Sequence, residues 1–150
     1  MQVLIVLSFS LFATATDDGH CAGENVYGAP VQKCSTSPLT GFNRDGCCKW
    51  DKQDYGSHTV CSEMTKEFLD YTKSQGNDLS TPRGGFPGLK PGDSWCLCAS
   101  RWYQAQKAGV APLVHLDSTN LKSLDLVPLD AMEPYASSRD STLEHDPEDL

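Results

Sequence analysis

Six cysteines and one histidine crowd into the stretch between residues 34 and 98. The cysteines are Cys34, the neighbours Cys47 and Cys48, Cys61, and the close pair Cys96 and Cys98, with His58 as the histidine among them. Residues of these types support three kinds of chemistry. Thiols oxidise to structural disulfides, thiolates with imidazole hold zinc, and a thiolate next to a histidine is a nucleophile. Each requires a different state of the sulfur.

Zinc takes four nitrogen or sulfur donors, and His58/Cys61 or Cys96/Cys98 could each supply two from one segment. The candidate ligands are therefore Cys34, Cys47, Cys48, His58, Cys61, Cys96 and Cys98. The spacing is not the usual C-x2-C, and adjacent Cys47 and Cys48 cannot easily aim both sulfurs at one ion. As disulfides, Cys47 and Cys48 would each bond elsewhere, because a bridge between neighbours is strained. Cys21 brings the cysteines to seven, so one thiol stays free or pairs between chains. As a catalytic thiol, Cys98 is favoured by its place just ahead of an expected helix, where free N–H groups stabilise a thiolate. Cys61 is a second candidate, with His58 as base. A disulfide framework, a zinc site, a catalytic pair and inert buried thiols all remain open on these residues.

The elements that must position these side chains read as follows. Asn25–Gly28 and Pro30–Lys33 look extended around a turn, and Ser37-Pro38, Thr40-Gly41 and Asp45-Gly46 mark successive turns. From His58 to Gln75 the residues Val60, Met64, Phe68 and Tyr71 recur at three- and four-residue intervals, which predicts one long helix closed by Gly76. That helix would put Cys61 on its inner face with His58 one turn back. The segment from Asn77 to Asp93 holds too many Pro and Gly for regular structure. Trp95–Cys98 reads as a strand running into a helix over Ala99–Ala108 that Gly109 stops. Val110–Leu116 reads as another strand, Ser118 as the cap of a helix over Thr119–Leu124, and Leu129–Met132 as a last helical turn cut short by Pro134. The fold class is α+β: one small domain with two main helices, a few short strands and long Gly/Pro-rich loops.

Other polar residues carry less. Arg44-Asp45 and Asn77-Asp78 could bind a ligand, but turn formation explains them equally well. Trp95 and Trp102 fit core packing, Trp50 is open, and His115 takes no role. The net charge of −8 over 150 residues argues against nucleic acid as a partner. Five of the acids lie between Ser137 and Leu150, against one arginine, so that end reads as a solvated tail whose removal should leave folding unchanged. At the other end, the apolar run Met1–Ala13 is of signal-peptide length, and Ala13-Thr14-Ala15 provides small residues for cleavage after Ala15. The expected organisation is a signal peptide at 1–15, a polar lead-in at 16–23, a cysteine-rich domain at 24–136 and an acidic tail at 137–150. This places the protein in the secretory pathway or outside the cell, with no membrane span once the signal is removed. Without cleavage it would be cytoplasmic.

Several motifs taken together resemble a known family. They are Cys34…Pro38-Leu-Thr-Gly-Phe42…Arg44-Asp-Gly-Cys-Cys48, Gly56…His58-Thr-Val-Cys61, Gly76-Asn-Asp-Leu-Ser-Thr-Pro82, Gly85-Phe-Pro-Gly-Leu-Lys-Pro-Gly-Asp93 and Trp95-Cys-Leu-Cys-Ala-Ser-Arg-Trp102. The chain is similar, over about Asn25 to Tyr135, to the domain-of-unknown-function family numbered 2237, found mainly in bacteria. The resemblance implies a small cysteine-rich domain and no particular activity. Two departures stand out: a shorter loop between Pro82 and Gly85, and the added signal segment and Cys21 in a family whose members mostly look cytosolic. Cysteines at work in a reducing cytosol would favour metal or thiol roles. The leading expectation is a secreted, cysteine-rich structural or binding module for an unidentified ligand or protein, with a zinc-binding domain and a Cys/His thiol enzyme as alternatives.

Overall fold

A computed structural model describes residues 19–138; the expected signal segment and residues 139–150 lie outside them. Two short strands, β1 (His20–Glu24) and β2 (Pro30–Gln32), form an antiparallel ribbon. Asn25 shapes the turn between them, its Oδ1 accepting from the amides of Tyr27 at 2.9 Å and Ala29 at 3.1 Å. A second antiparallel sheet has the order β4–β3–β5, with β3 (His58–Glu63) central between β4 (Ser94–Cys98) and β5 (Leu113–Val114). Helices α1 (Lys66–Ser74) and α2 (Ala99–Lys107) flank it, and a short α3 (Leu129–Met132) follows. This is a small α+β arrangement, as the sequence implied.

The long helix expected from His58 is the main correction. His58–Glu63 is strand, and the helix begins only after Thr65, whose side chain accepts from the Phe68 amide at 3.2 Å. The reason is burial. Thr59, Val60, Cys61 and Ser62 are all buried, because Val60 faces the main core while Cys61 packs among the bridged cysteines on the other face, so the strand lacks an alternating pattern. Val60 then aligned by chance with the true helical face of Phe68 and Leu69. Cys61 accordingly lies on a strand and His58 is not one helical turn behind it.

Smaller differences lie in the second half of the chain. Thr119 Oγ1 donates to His115 O at 2.8 Å and accepts from Cys61 N at 3.1 Å, so the expected helix at Thr119 starts later, as a 3-10 turn over Leu121–Asp125 capped by Asn120. The strand expected over Val110–Leu116 is reduced to Leu113–Val114. Helix α2 and the turn at Leu129–Met132 form as expected, and Gly109, at φ 76°, ends α2 in the left-handed region.

The main core joins Val60, Phe68, Leu97, Trp102, Val114 and Met132, each no more than 2% exposed. Trp102 Nε1 donates to Pro112 O at 3.1 Å, and Trp95 is likewise buried, while Trp50 is exposed. His115 is buried and hydrogen-bonded: its Nδ1 lies 2.7 Å from Ser137 Oγ and its Nε2 3.3 Å from Ser94 Oγ. Ser137 is itself buried, and its amide donates to Val114 O at 2.8 Å, so it packs with β5. Replacing Ser137 with Ala should therefore cost about 1 kcal/mol in urea denaturation, the net worth of one buried hydrogen bond. An unchanged midpoint would show that the Ser137–His115 contact does not stabilise the fold.

Candidate functional site

Between β2 and β3 the chain runs from Lys33 to Ser57 without helix or strand. Three disulfides attach this segment to the rest: Cys21–Cys47, Cys34–Cys61 and Cys48–Cys96. Cys61 and Cys96 face each other across β3 and β4, so the second and third bridges lie side by side. Thr40 Oγ1 reinforces the attachment by accepting from Cys96 N at 2.8 Å. The segment is thus pinned over the β3–β4 ladder, which it joins at the His58 end.

At that end the ladder contains a bulge. Cys61 pairs with Cys96 and Val60 with Leu97, but the next pair is His58 with Cys98, leaving Thr59 as the extra residue. Regular pairing would set Thr59 opposite Cys98. The bulge puts His58 there instead, a re-aiming of side chains that bulges commonly perform. Ser57, just before it, has φ 48°, a left-handed conformation uncommon for a residue with a side chain. Its carbonyl accepts from Thr59 N at 2.8 Å and Ala99 N at 3.0 Å, fixing both sides of the bulge.

The outcome is a chain of three side chains. Cys98 Sγ is 3.1 Å from His58 Nε2, and His58 Nδ1 is 2.6 Å from Asp54 Oδ1. The other carboxylate oxygen of Asp54 accepts from the His58 amide at 2.7 Å, so one buried acid orients both ring and backbone. His58 and Cys98 are half-buried. The bond to Cys98 pushes the His58 pKa up to about 9, helped by Asp54 and opposed by burial. The cationic ring is therefore the favoured form at neutral pH. Cys98 is also the residue before α2, and no side chain caps that helix, so its first-turn N–H groups face the sulfur's end without a side-chain acceptor.

The other sequence candidates sort themselves by sulfur state. Cys34, Cys47, Cys48, Cys61 and Cys96 are all bridged, and Cys98 is the one free thiol. A bridged Cys61 is no nucleophile. The sulfurs of Cys34, Cys48 and Cys61 lie within 4.8 Å of one another, close enough to hold a metal. They are nonetheless disulfide sulfurs, and zinc binds thiolates, so in this oxidised form they do not fit the ion. Cys47 is bridged to Cys21, away from that cluster. The residue that sequence reading missed is Asp54. Its only signal was an acid four residues before His58, which is ordinary in a loop.

A cavity of about 370 Å³ reaches His58, with Phe42, Arg44, Arg83, Phe86 and Trp95 in its wall. A larger one of about 830 Å³ shares Arg44 with it but does not touch His58; Cys98 lines neither, so the smaller cavity meets the pair through His58.

Among known families, the profile of one described as "Uncharacterized protein conserved in bacteria (DUF2237)" matches residues 24–136, most of the chain. A comparison with curated proteins found no match.

Two expectations follow from the geometry. A Cβ added at Gly56 would sit 2.6 Å from His58 Cε1 and 3.2 Å from Cys98 Sγ, so Gly56→Ala must displace the ring. It should slow alkylation of Cys98 by up to about 10²-fold while leaving the disulfides intact, since small misplacements cost that much; alkylation at the wild-type rate would show that the ring tolerates the shift. The second concerns pH. The His58 pKa in the fold is about 9 against an ordinary 6.5, so its contribution to stability is complete below 6.5 and is lost as pH rises through about 9. Denaturation midpoints of wild type and His58→Gln should therefore converge across that interval, and a constant difference would contradict the assignment.

Proposed function

The chain belongs to this uncharacterised bacterial family, and, since membership brings no activity with it, we propose from the geometry that it is a thiol-dependent acyl-transfer enzyme with Cys98 as nucleophile. The observation that carries the proposal is the Cys98–His58–Asp54 chain, with bonds of 3.1 Å and 2.6 Å in line from sulfur to carboxylate. A nucleophile, a base and a group that orients the base are the three parts of triad catalysis, whatever the fold.

In this reading His58 Nε2 holds the proton as the Cys98 sulfur attacks, and Asp54 fixes the ring tautomer. The sulfur attacks the acyl carbon of an ester, thioester or amide, forming a C–S bond, while the leaving group departs with the proton of His58 Nε2. Water then attacks the thioester, passing a proton back to Nε2. The C–S bond breaks, the acid leaves, and the Cys98–His58 pair is restored. Of the first-turn N–H groups of α2, that of Ala99 is taken by Ser57 O, and those of the next residues, which no side chain caps, are the donors open to the oxyanion that forms at each attack.

The disulfide-framework reading is not displaced by this one. The three bridges make the module, and the module holds Asp54 and Gly56 against His58. We place the protein in an oxidising compartment, reached through the apolar segment at 1–15. The bridges support that placement, because such bonds persist where thiols are not kept reduced. Among the described residues, no helix is long and apolar enough to cross a membrane.

The test is reaction with iodoacetamide and with p-nitrophenyl acetate, read by peptide mass. Cys98 should be alkylated near neutral pH much faster than a free cysteine, and the ester should leave an acetyl group on Cys98. His58→Ala should slow both by roughly 10²-fold or more, and Asp54→Asn by a smaller factor. Equal reactivity of wild type and His58→Ala would overturn the proposal, provided both retain three disulfides.

A further inference from the structure

The cavity beside His58 brings two arginines onto an aromatic wall. Arg44 lies over the Trp95 ring, 4.9 Å from its centroid, and Arg83 over Phe86 at 5.8 Å. Phe86 and Trp95 meet edge to face at 5.4 Å, so the two cations rest on one continuous aromatic wall. Each guanidinium donates to a backbone carbonyl, Arg44 to Gly41 O and Arg83 to Asp78 O, both at 2.5 Å. Among the described residues neither forms an ion pair with a carboxylate, although the chain as a whole is acidic. A guanidinium has five N–H donors, so most of those on Arg44 and Arg83 are uncommitted.

Arg44 is also held in an unusual backbone state. Its φ is 52°, in the left-handed region, where a long side chain is uncommon. The turn that fixes it ends in Cys47 and Cys48, both bridged to other parts of the chain, so the guanidinium is presented from a cross-linked base. Phe42 closes the His58 end, its ring nearly parallel to the imidazole at 6.5 Å. A volume of about 370 Å³ suits a small molecule rather than a peptide or nucleic acid.

We propose that this cavity binds small molecules bearing a carboxylate on a flat apolar body, with the carboxylate between Arg44 and Arg83 and the body against Phe86 and Trp95. Planar guanidinium forks match a carboxylate bidentately, and aromatic walls match a flat ligand. Because His58 lines the same cavity one hydrogen bond from Cys98 Sγ, such anionic compounds become the substrate class of the thiol, an extension that rests on Cys98 being the nucleophile.

Benzoate and its uncharged counterpart benzamide serve as probes, titrated by NMR against the full oxidised chain carrying Cys98→Ser, which separates binding from thiol chemistry. Benzoate should shift resonances of Phe42, Phe86 and Trp95, and benzamide should bind roughly tenfold more weakly or not at all. Arg83→Met should reduce benzoate affinity by a similar factor. Arg44→Asn should do the same while suiting the left-handed backbone, which guards against a folding artefact. Equal binding of the two probes, no binding of benzoate, or benzoate binding unaffected by both variants would each overturn the pocket assignment. A reactive Cys98 with no benzoate binding overturns only the pocket, whereas benzoate binding beside an unreactive Cys98 overturns the nucleophile and leaves the pocket standing.

Discussion

The side-by-side bridges Cys34–Cys61 and Cys48–Cys96 are the constraint on which the rest of this molecule depends. The segment from Lys33 to Ser57 has neither helix nor strand, and few of its side chains reach the main core. A free segment of that length would have many conformations, and ordering it by hydrogen bonds alone would be costly. Sulfur supplies the order instead. Two bridges land on cross-strand partners of the β3–β4 pair, Cys61 and Cys96, and a third ties Cys47 to the β1–β2 ribbon. Phe42, Arg44, Asp54 and Gly56 all lie on this tethered segment, so the candidate site is a product of the cross-links as much as of the sheet.

The division of labour between scaffold and segment explains the placement of the reactive group. His58 and Cys98 come from the ends of β3 and β4, where main-chain pairing gives them fixed positions. Asp54 comes from the tethered segment, and the cavity wall from that segment, from the loop before β4 and from Trp95 on β4 itself. The buried carboxylate then acts twice, on the ring and on the amide of the same residue. A buried carboxylate bonded in this way holds the imidazole in one orientation without help from solvent.

Much of the fold could be read from the chain. Gly76 and Gly109 close the helices, and Trp95–Cys98 reads as a strand feeding α2. What could not be read follows from physical causes. A central strand buried on both faces carries no alternation, so β3 passed for a helix through the accidental spacing of Val60, Met64 and Phe68. The pairing of cysteines depends on the path of a segment without local structure, so the bridges were open on spacing alone. Cys98 and His58 were visible as reactive types, but their meeting depends on one extra residue, Thr59, and nothing in the sequence marks a bulge there. Asp54 was invisible for a similar reason, since an acid in a turn is expected for its own sake.

The bulge itself has a bearing on how durable the site is. An irregularity in an antiparallel ladder can in principle migrate, one strand creeping past the other until a different pair stands at the end. Here two residues inward from Thr59 the strands are fastened on both sides, Cys61 to Cys34 and Cys96 to Cys48, and outward Ala99 and Thr59 both hold the carbonyl of Ser57. The defect is caught between a covalent ratchet and a backbone clasp. A slip that would return Thr59 to Cys98 has to carry two disulfides with it, so the frame in which thiol and imidazole meet is set by bond lengths rather than by packing.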